Sequence, residues 1–293
     1  VISQQIATRW PSIMPYWQLA RMDKPIGSLL LLWPTWAALW LAAGGWPGLH
    51  LLTVFTLGVI LMRAAGCAVN DFADREIDGK VKRTTARPLA TGSITPKAAL
   101  GLFAGLSLAA FGLVLTTNQL TILLSLPALA LAFCYPFAKR HTHLPQVVLG
   151  AAFSMGIPMA FAAVTGEIPP QAWLLYVANL LWTLCYDTFY AMVDRDDDLK
   201  IGVKSTAILF GEMDKAMTAT LQLLVLMALL LIGQRFDLGG ICHLSLVVVA
   251  ALFTYQQWLI RERKREACFQ AFINNNWVGL AIFAGISLHY VLH

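Results

Sequence analysis

Charge is scarce in this chain: only 13% of its 293 residues are Asp, Glu, Lys or Arg, against roughly a quarter in soluble domains. That shortage excludes an ordinary solvated globule. Cysteine is scarce as well, and Cys67, Cys134, Cys185, Cys242 and Cys268 form no CxxC pair. An odd, scattered set of this kind excludes a complete disulfide framework, and its place in apolar runs reads as buried thiols. His141 and His143 are two residues apart, a poor spacing for metal on one helix face, and with no Cys or carboxylate beside them they read as interfacial. "GVKST" at 202–206 lacks the earlier glycine and the strand-to-helix turn of a phosphate loop, which excludes a nucleotide-hydrolysing reading. The first two dozen residues show no charged, apolar and small-residue succession of a signal peptide, so targeting is expected to rest on the fold.

Apolar residues are what the chain has in excess, at 58% with a mean hydropathy of +0.66. Crossing the hydrocarbon takes about 20 such residues in a helix. Segments of that kind are expected at 24–43, 52–72, 97–116, 119–138, 145–164, 171–194, 214–233, 240–260 and 273–292. Gly105, Gly112, Pro127 and Pro158 fall inside them, breakers that membrane helices tolerate when neighbours satisfy the backbone. The expected fold is an all-α integral membrane protein of about nine transmembrane helices in one domain, 1–293. Ten tryptophans suit membrane-interface belts and apolar walls rather than a cofactor box, and Asn274–Asn276 suit a cap on the ninth helix.

The 21 Lys and Arg are distributed unevenly. All but Arg63, inside the second span, and Arg235 lie at the end of the spans shared with the N-terminus. Cytoplasmic loops carry such an excess, so the N-terminus is expected inside. The net charge of +5 then belongs to a membrane-facing surface, with "RERKRE" at 261–266 touching anionic lipid; no nucleic acid is implied.

Two even-numbered spans end in acid at that face: "NDFADREID" (Asn70 to Asp78) and "YDTFYAMVDRDDD" (Tyr186 to Asp198), together nine of the 16 acids. At 3.6 residues per turn, Asn70, Asp74 and Asp78 share one face; so do Asp194 and Asp198, with Asp187 two turns earlier. Stacked carboxylates repel each other, and acids at a helix C-terminus oppose the macrodipole. Both penalties are removed by a cation. Oxygen ligands without His or Cys point to Mg2+, which bridges a few carboxylates to phosphate oxygens.

Bases follow each cluster: Lys80, Lys82, Arg83 and Arg87 after the first, Lys200 and Lys204, with Ser205 and Thr206, after the second. Acid ligands followed by cations suggest a metal-bound polyphosphate. Arg63 stands seven residues before Asn70 on the same face, about 16 Å deeper than Asp74. Intramembrane charges mark sites or pair with one another: either Arg63 pairs structurally with Asp187, or it meets a substrate diphosphate or carboxylate.

The spacings NDxxDxxxD at Asn70–Asp78 and DxxxD at Asp194–Asp198 resemble those of the UbiA family of intramembrane prenyltransferases. "RMDKPIGSLLLLWPT", "MRAAGCAVNDFADREIDGKVKRT", "YPFAKRHTHLPQVVLGAAF", "YDTFYAMVDRDDDLKIGVKSTAILFG" and "REACFQAFINNN", in order from about Arg21 onward, are similar in particular to members acting on 4-hydroxybenzoate in ubiquinone synthesis. The resemblance implies a helix bundle around a central cavity, with metal and diphosphate at the cytoplasmic end and a prenyl tail leaving toward lipid. It implies Asp74, Asp78, Asp194 and Asp198 as metal-coordinating acids, Asn70 as a further ligand, and Arg140, with Lys139 second, in substrate binding. Lys82, Arg83 and Lys204 are the loop bases expected at the diphosphate, Asp187 either the group that takes the ring proton or a structural acid, and loops 73–96 and 195–213 the cover. The implied partners are a polyprenyl diphosphate, 4-hydroxybenzoate and Mg2+, at a bacterial inner membrane.

Other readings are a member with a different aromatic acceptor, and a cation-coupled secondary transporter. The transporter would place its acids near the bilayer midplane, often in inverted repeats, whereas these lie at one face on helices of one direction. The chain shares Asp78, Gly79, Arg83 and Gly92 with the pattern of a CDP-alcohol phosphotransferase, but has lysine at 82 where that pattern has alanine, and Pro96 and Leu100 where it needs acids.

Overall fold

The computed structural model describes residues 8–80 and 82–292. The helices are α1 (Met14–Leu19), α2 (Ile26–Ala43), α3 (Leu49–Asp74), α4 (Pro96–Val114), α5 (Gln119–Ala138), α6 (Pro145–Ser154), α7 (Gly156–Thr165), α8 (Pro170–Ile201), α9 (Thr206–Phe210), α10 (Asp214–Arg235), α11 (Gly240–Leu259) and α12 (Arg265–Leu292). No strand occurs among the described residues. Each of the nine expected spans falls on a long helix, with α6 and α7 sharing one. Eight segments, with α6–α7 and α9–α10 each taken as one, are long and apolar enough to cross a membrane. The ninth long helix, α8, is not among them: it carries the second acid cluster and packs at the centre of the bundle.

Local chemistry sets the ends. Thr95 and Asn118 accept the N–H groups of Ala98 and Thr121 at 3.2 and 2.9 Å, so α4 and α5 start on side-chain caps. Gly202 ends α8 in the left-handed region at φ 72°, a conformation that costs glycine nothing. Pro158 offers no N–H to Ser154, and the fifth span breaks at Met155 into α6 and α7. Gly156 sits at the break because a Cβ there would lie 2.7 Å from Thr35 Oγ1.

The core lies between α2, α7, α8, α10, α11 and α12. The α4–α5 hairpin is peripheral, burying only Ala99, Ser107, Ala110, Thr121 and Pro136. Its position corrects one expectation: four cysteines are buried, but Cys134 on α5 is exposed. An apolar run looks the same whether it faces protein or lipid.

The ninth helix corrects another. It begins at Arg265, so Asn274–Asn276 lie in its interior and cap nothing. Steps of 100° turn the three amides toward three neighbours. Gln256 donates to Asn274 Oδ1 at 2.9 Å, Trp182 Nε1 to Asn275 Oδ1 at 2.8 Å and Trp33 Nε1 to Asn276 Oδ1 at 2.9 Å, tying α12 to α11, α8 and α2. Asn275 is fully buried. Asn275→Leu strands the Trp182 donor, and a loss of about 1–3 kcal/mol is expected, read as a lower melting temperature in detergent; an unchanged melting curve would contradict it.

Candidate active site

The two acid columns end in one cavity of about 920 Å3, which is also lined by Lys82, Arg83, Arg87 and Lys204 of the basic loops. From α3 and the turn after it come Asn70, Asp71, Asp74 and Asp78; from α8 come Asp187, Tyr190, Asp194 and Asp198. Deeper in, the wall turns apolar and aromatic, with Leu30, Leu149, Phe153, Tyr186 and Phe272.

Within these walls the acids are held by bases. Asp74, 2% exposed, accepts from Lys139 and, at 3.3 Å, from Asn70 Nδ2. Arg87 Nη1 lies 2.8 and 2.9 Å from the two oxygens of Asp78, 3.1 Å from Asp71 and 4.0 Å from Asp74. Arg83 Nε reaches Asp194 at 3.0 and 3.2 Å, and its guanidinium lies 4.5 Å over the Tyr190 ring and meets the phenol oxygen. The loop after α3 therefore touches both columns: Arg87 grips the α3 side and Arg83 crosses to α8. Burial pushes the Asp78 carboxyl up to about 6, with Arg87 pulling the other way.

Lys82 and Lys204 also face the cavity, and Lys204 is anchored by its own N–H to the Lys139 carbonyl at 3.3 Å. Arg63 sits on the wall, close-packed on Gly27, where a Cβ would come within 2.2 Å of its Nε. Among the described residues that Nε has no hydrogen-bond partner, and Arg63 forms no ion pair with Asp187; Nη1 contacts Cys67 Sγ. The structural pairing offered by the sequence is thus not formed.

Arg140 is the expected residue that the structure does not bring to the cavity wall. Its guanidinium instead donates to the carbonyl of Ala73 at the end of α3 and lies 6.0 Å from the Phe137 ring. A cation there satisfies a carbonyl that the helix itself leaves open. In this position Arg140 supports the end of α3, which carries Asp74.

Sequence reasoning passed over Asp71, fully buried beside Asn70, which accepts from Arg21 at 2.8 Å and forms an ion pair with Arg87 at 3.1 Å. It sits one residue, 100°, from Asn70, and only the neighbours across the bundle give it a role. Tyr190, Gln146 and Arg265 on the wall were missed too. The one available signal for Tyr190 was its place one turn before Asp194.

Among the described residues no three acid, histidine or cysteine side chains converge into a closed metal cage. A hard cation sharing its shell with phosphate and water does not require one. Asp74 Oδ1 and Asp71 Oδ2 are buried without partners among the described residues, a donor set that fits such an ion.

Residues 31–280 match the family described as the UbiA prenyltransferase family. The chain belongs to it. As a UbiA-family member it is 61% identical over 282 residues to the 4-hydroxybenzoate octaprenyltransferase of Pseudomonas entomophila, covering 96% of this chain and 95% of that one. The apo structure of a UbiA homolog from Aeropyrum pernix K1 superposes with a TM-score of 0.80 at 26% identity, covering 89% of this chain and 97% of that one. A UbiA homolog from Archaeoglobus fulgidus bound to GPP and Mg2+ shares the fold, with a TM-score of 0.70 at 18% identity, over 93% of this chain and 99% of that one.

Proposed function

We propose that this UbiA-family enzyme transfers a polyprenyl group, octaprenyl as in the name of its relative, from an allylic polyprenyl diphosphate to 4-hydroxybenzoate for ubiquinone synthesis. The bond forms at the ring carbon ortho to the hydroxyl. The observation that carries the chemistry is the pair of acid columns facing one cavity, with Arg87 and Arg83 of one loop holding the α3 and α8 sides.

Breaking the allylic C–O bond leaves a cation on carbon and new negative charge on diphosphate. Groups aimed at that charge stabilise the transition state more than the ground state. Lys82, Arg83 and Lys204 are placed for the diphosphate, while Asn70, Asp74, Asp78, Asp194 and Asp198 would hold Mg2+. When bound, Mg2+ supplies neutralisation of the leaving group. Arg63, deeper and lacking an acid partner among the described residues, takes the acceptor carboxylate. Asp187, on the α8 wall, takes the ring proton as aromaticity returns. The aromatic wall keeps water from the allyl cation. The active-site end faces the cytoplasm of a bacterium and the helices cross its inner membrane, as the basic residues gathered there favour.

Purified protein in lipid with Mg2+, ring-labelled 4-hydroxybenzoate and octaprenyl diphosphate should yield a 3-prenylated acid, lost on adding EDTA. Release of diphosphate without prenylated acid, or product with EDTA present, would refute the reading.

A further inference from the structure

A second charged cluster lies outside the cavity, behind the end of α8. Asp214, the first residue of α10, is fully buried although it is a carboxylate. Arg263 Nε reaches its two oxygens at 2.9 and 3.1 Å, and Arg263 Nη2 adds a third contact at 2.9 Å. Arg195, the neighbour of Asp194, approaches from α8 at 3.5 Å. The Lys215 N–H donates to Asp214 Oδ1 at 2.7 Å. Arg263 is fixed in turn: its backbone takes the left-handed region at φ 53° between α11 and α12, and it donates to the Glu212 carbonyl at 2.9 Å. Two residues on, Arg265 grips Asp197 at 3.1 Å and Asp196 at 3.3 Å.

The five-residue run Asp194–Asp198 is thereby sorted. Asp194 and Asp198 line the cavity, Arg195 points to Asp214, and Asp196 and Asp197 point to Arg265. Nothing within α8 could sort it: its last turns stack like charges and set acids against the macrodipole. A rotation by one residue, 100°, would bring Arg195 round in place of Asp194. The orientation must come from outside the helix, and the buried ion pair on its far side supplies it, since a buried charge tolerates loss of its partner poorly.

We infer that Asp214 is a positioning residue, which through Arg195 and Arg263 fixes the rotation of the α8 end and so aims Asp194 and Asp198 at the cavity. It touches no substrate. The inference rests on the reading of Asp194 and Asp198 as metal-holding acids.

The test measures Mn2+ binding to the purified full-length protein by electron paramagnetic resonance, with inorganic diphosphate present, beside prenyl transfer and melting temperature. Asp214→Asn keeps shape but removes the charge; Mn2+ affinity should fall about tenfold and the Mg2+ needed for half-maximal activity should rise equally. Asp214→Glu should recover to within about threefold of wild type. Arg195→Gln, whose side chain is partly exposed, should give the same shift, and the double variant Asp214→Asn/Arg195→Gln should be little worse than either single one. Arg195→Gln also decides the matter if Asp214→Asn does not fold. Wild-type Mn2+ affinity in Asp214→Asn, or in Arg195→Gln where only that variant folds, would overturn the inference while leaving the enzyme reading intact. A wild-type protein that binds Mn2+ but never prenylates 4-hydroxybenzoate would overturn that reading alone.

Discussion

Asp74→Ala is expected to lower kcat for prenylation of 4-hydroxybenzoate about a thousandfold or more, equivalent to about 4 kcal/mol of transition-state stabilisation. Asp74 is the acid on which the α3 column converges. Lys139 and Asn70 take one oxygen, the other is buried with no partner, and Arg87 stands 4.0 Å away. Alanine removes both oxygens and leaves those cations without their counter-charge, so a loss of folding must be separated from a loss of chemistry. Asp74→Asn does so. The amide keeps the shape and one acceptor but not the charge; it should melt close to wild type and still lose most of the rate. An Asp74→Asn enzyme keeping more than a tenth of wild-type kcat would show that the α3 column does not hold the metal.

The next largest effect is expected at Arg63. A guanidinium packed on Gly27 inside the membrane, with no acid partner among the described residues and one N–H unpaired there, calls for an anion from elsewhere. It lies about 16 Å deeper than Asp74, at 1.5 Å of rise per residue, which suits the acceptor carboxylate better than a diphosphate held at the mouth. Arg63→Ala should raise KM for 4-hydroxybenzoate roughly tenfold to a hundredfold, about 1.5–3 kcal/mol for a hydrogen bond to a charged group, with KM for the prenyl diphosphate nearly unchanged. With 4-hydroxybenzamide as acceptor, wild type and variant should differ by less than about threefold. If the KM of the diphosphate rose instead, Arg63 would belong to the donor end.

The contrast between Arg63 and Arg140 shows how far residue patterns reach. Arg63 was conspicuous because a charge inside an apolar run is expensive wherever the helix packs, and the cavity does contain it. Arg140 entered through resemblance, and its sequence neighbourhood could not reveal that the side chain turns to the Ala73 carbonyl. Asp71 shows the reverse failure: it lies inside the quoted motif, yet its pairing with Arg21 and Arg87 joins residues far apart in the chain. The Asn274–Asn276 run was read as a cap because asparagine favours caps. In the bundle each amide meets a donor on a different helix, a role that depends on what stands opposite.

The sequence by itself determined the helical architecture, the placement of the long helical segments and the two acid-bearing faces, because a membrane-crossing helix satisfies its own backbone and its side-chain period is local. Only the tertiary structure decided which base holds which acid, which cysteine meets lipid and which acids of 194–198 reach the cavity. Those outcomes depend on the partner supplied across the bundle by another helix, and helical periodicity names a face without naming what it meets.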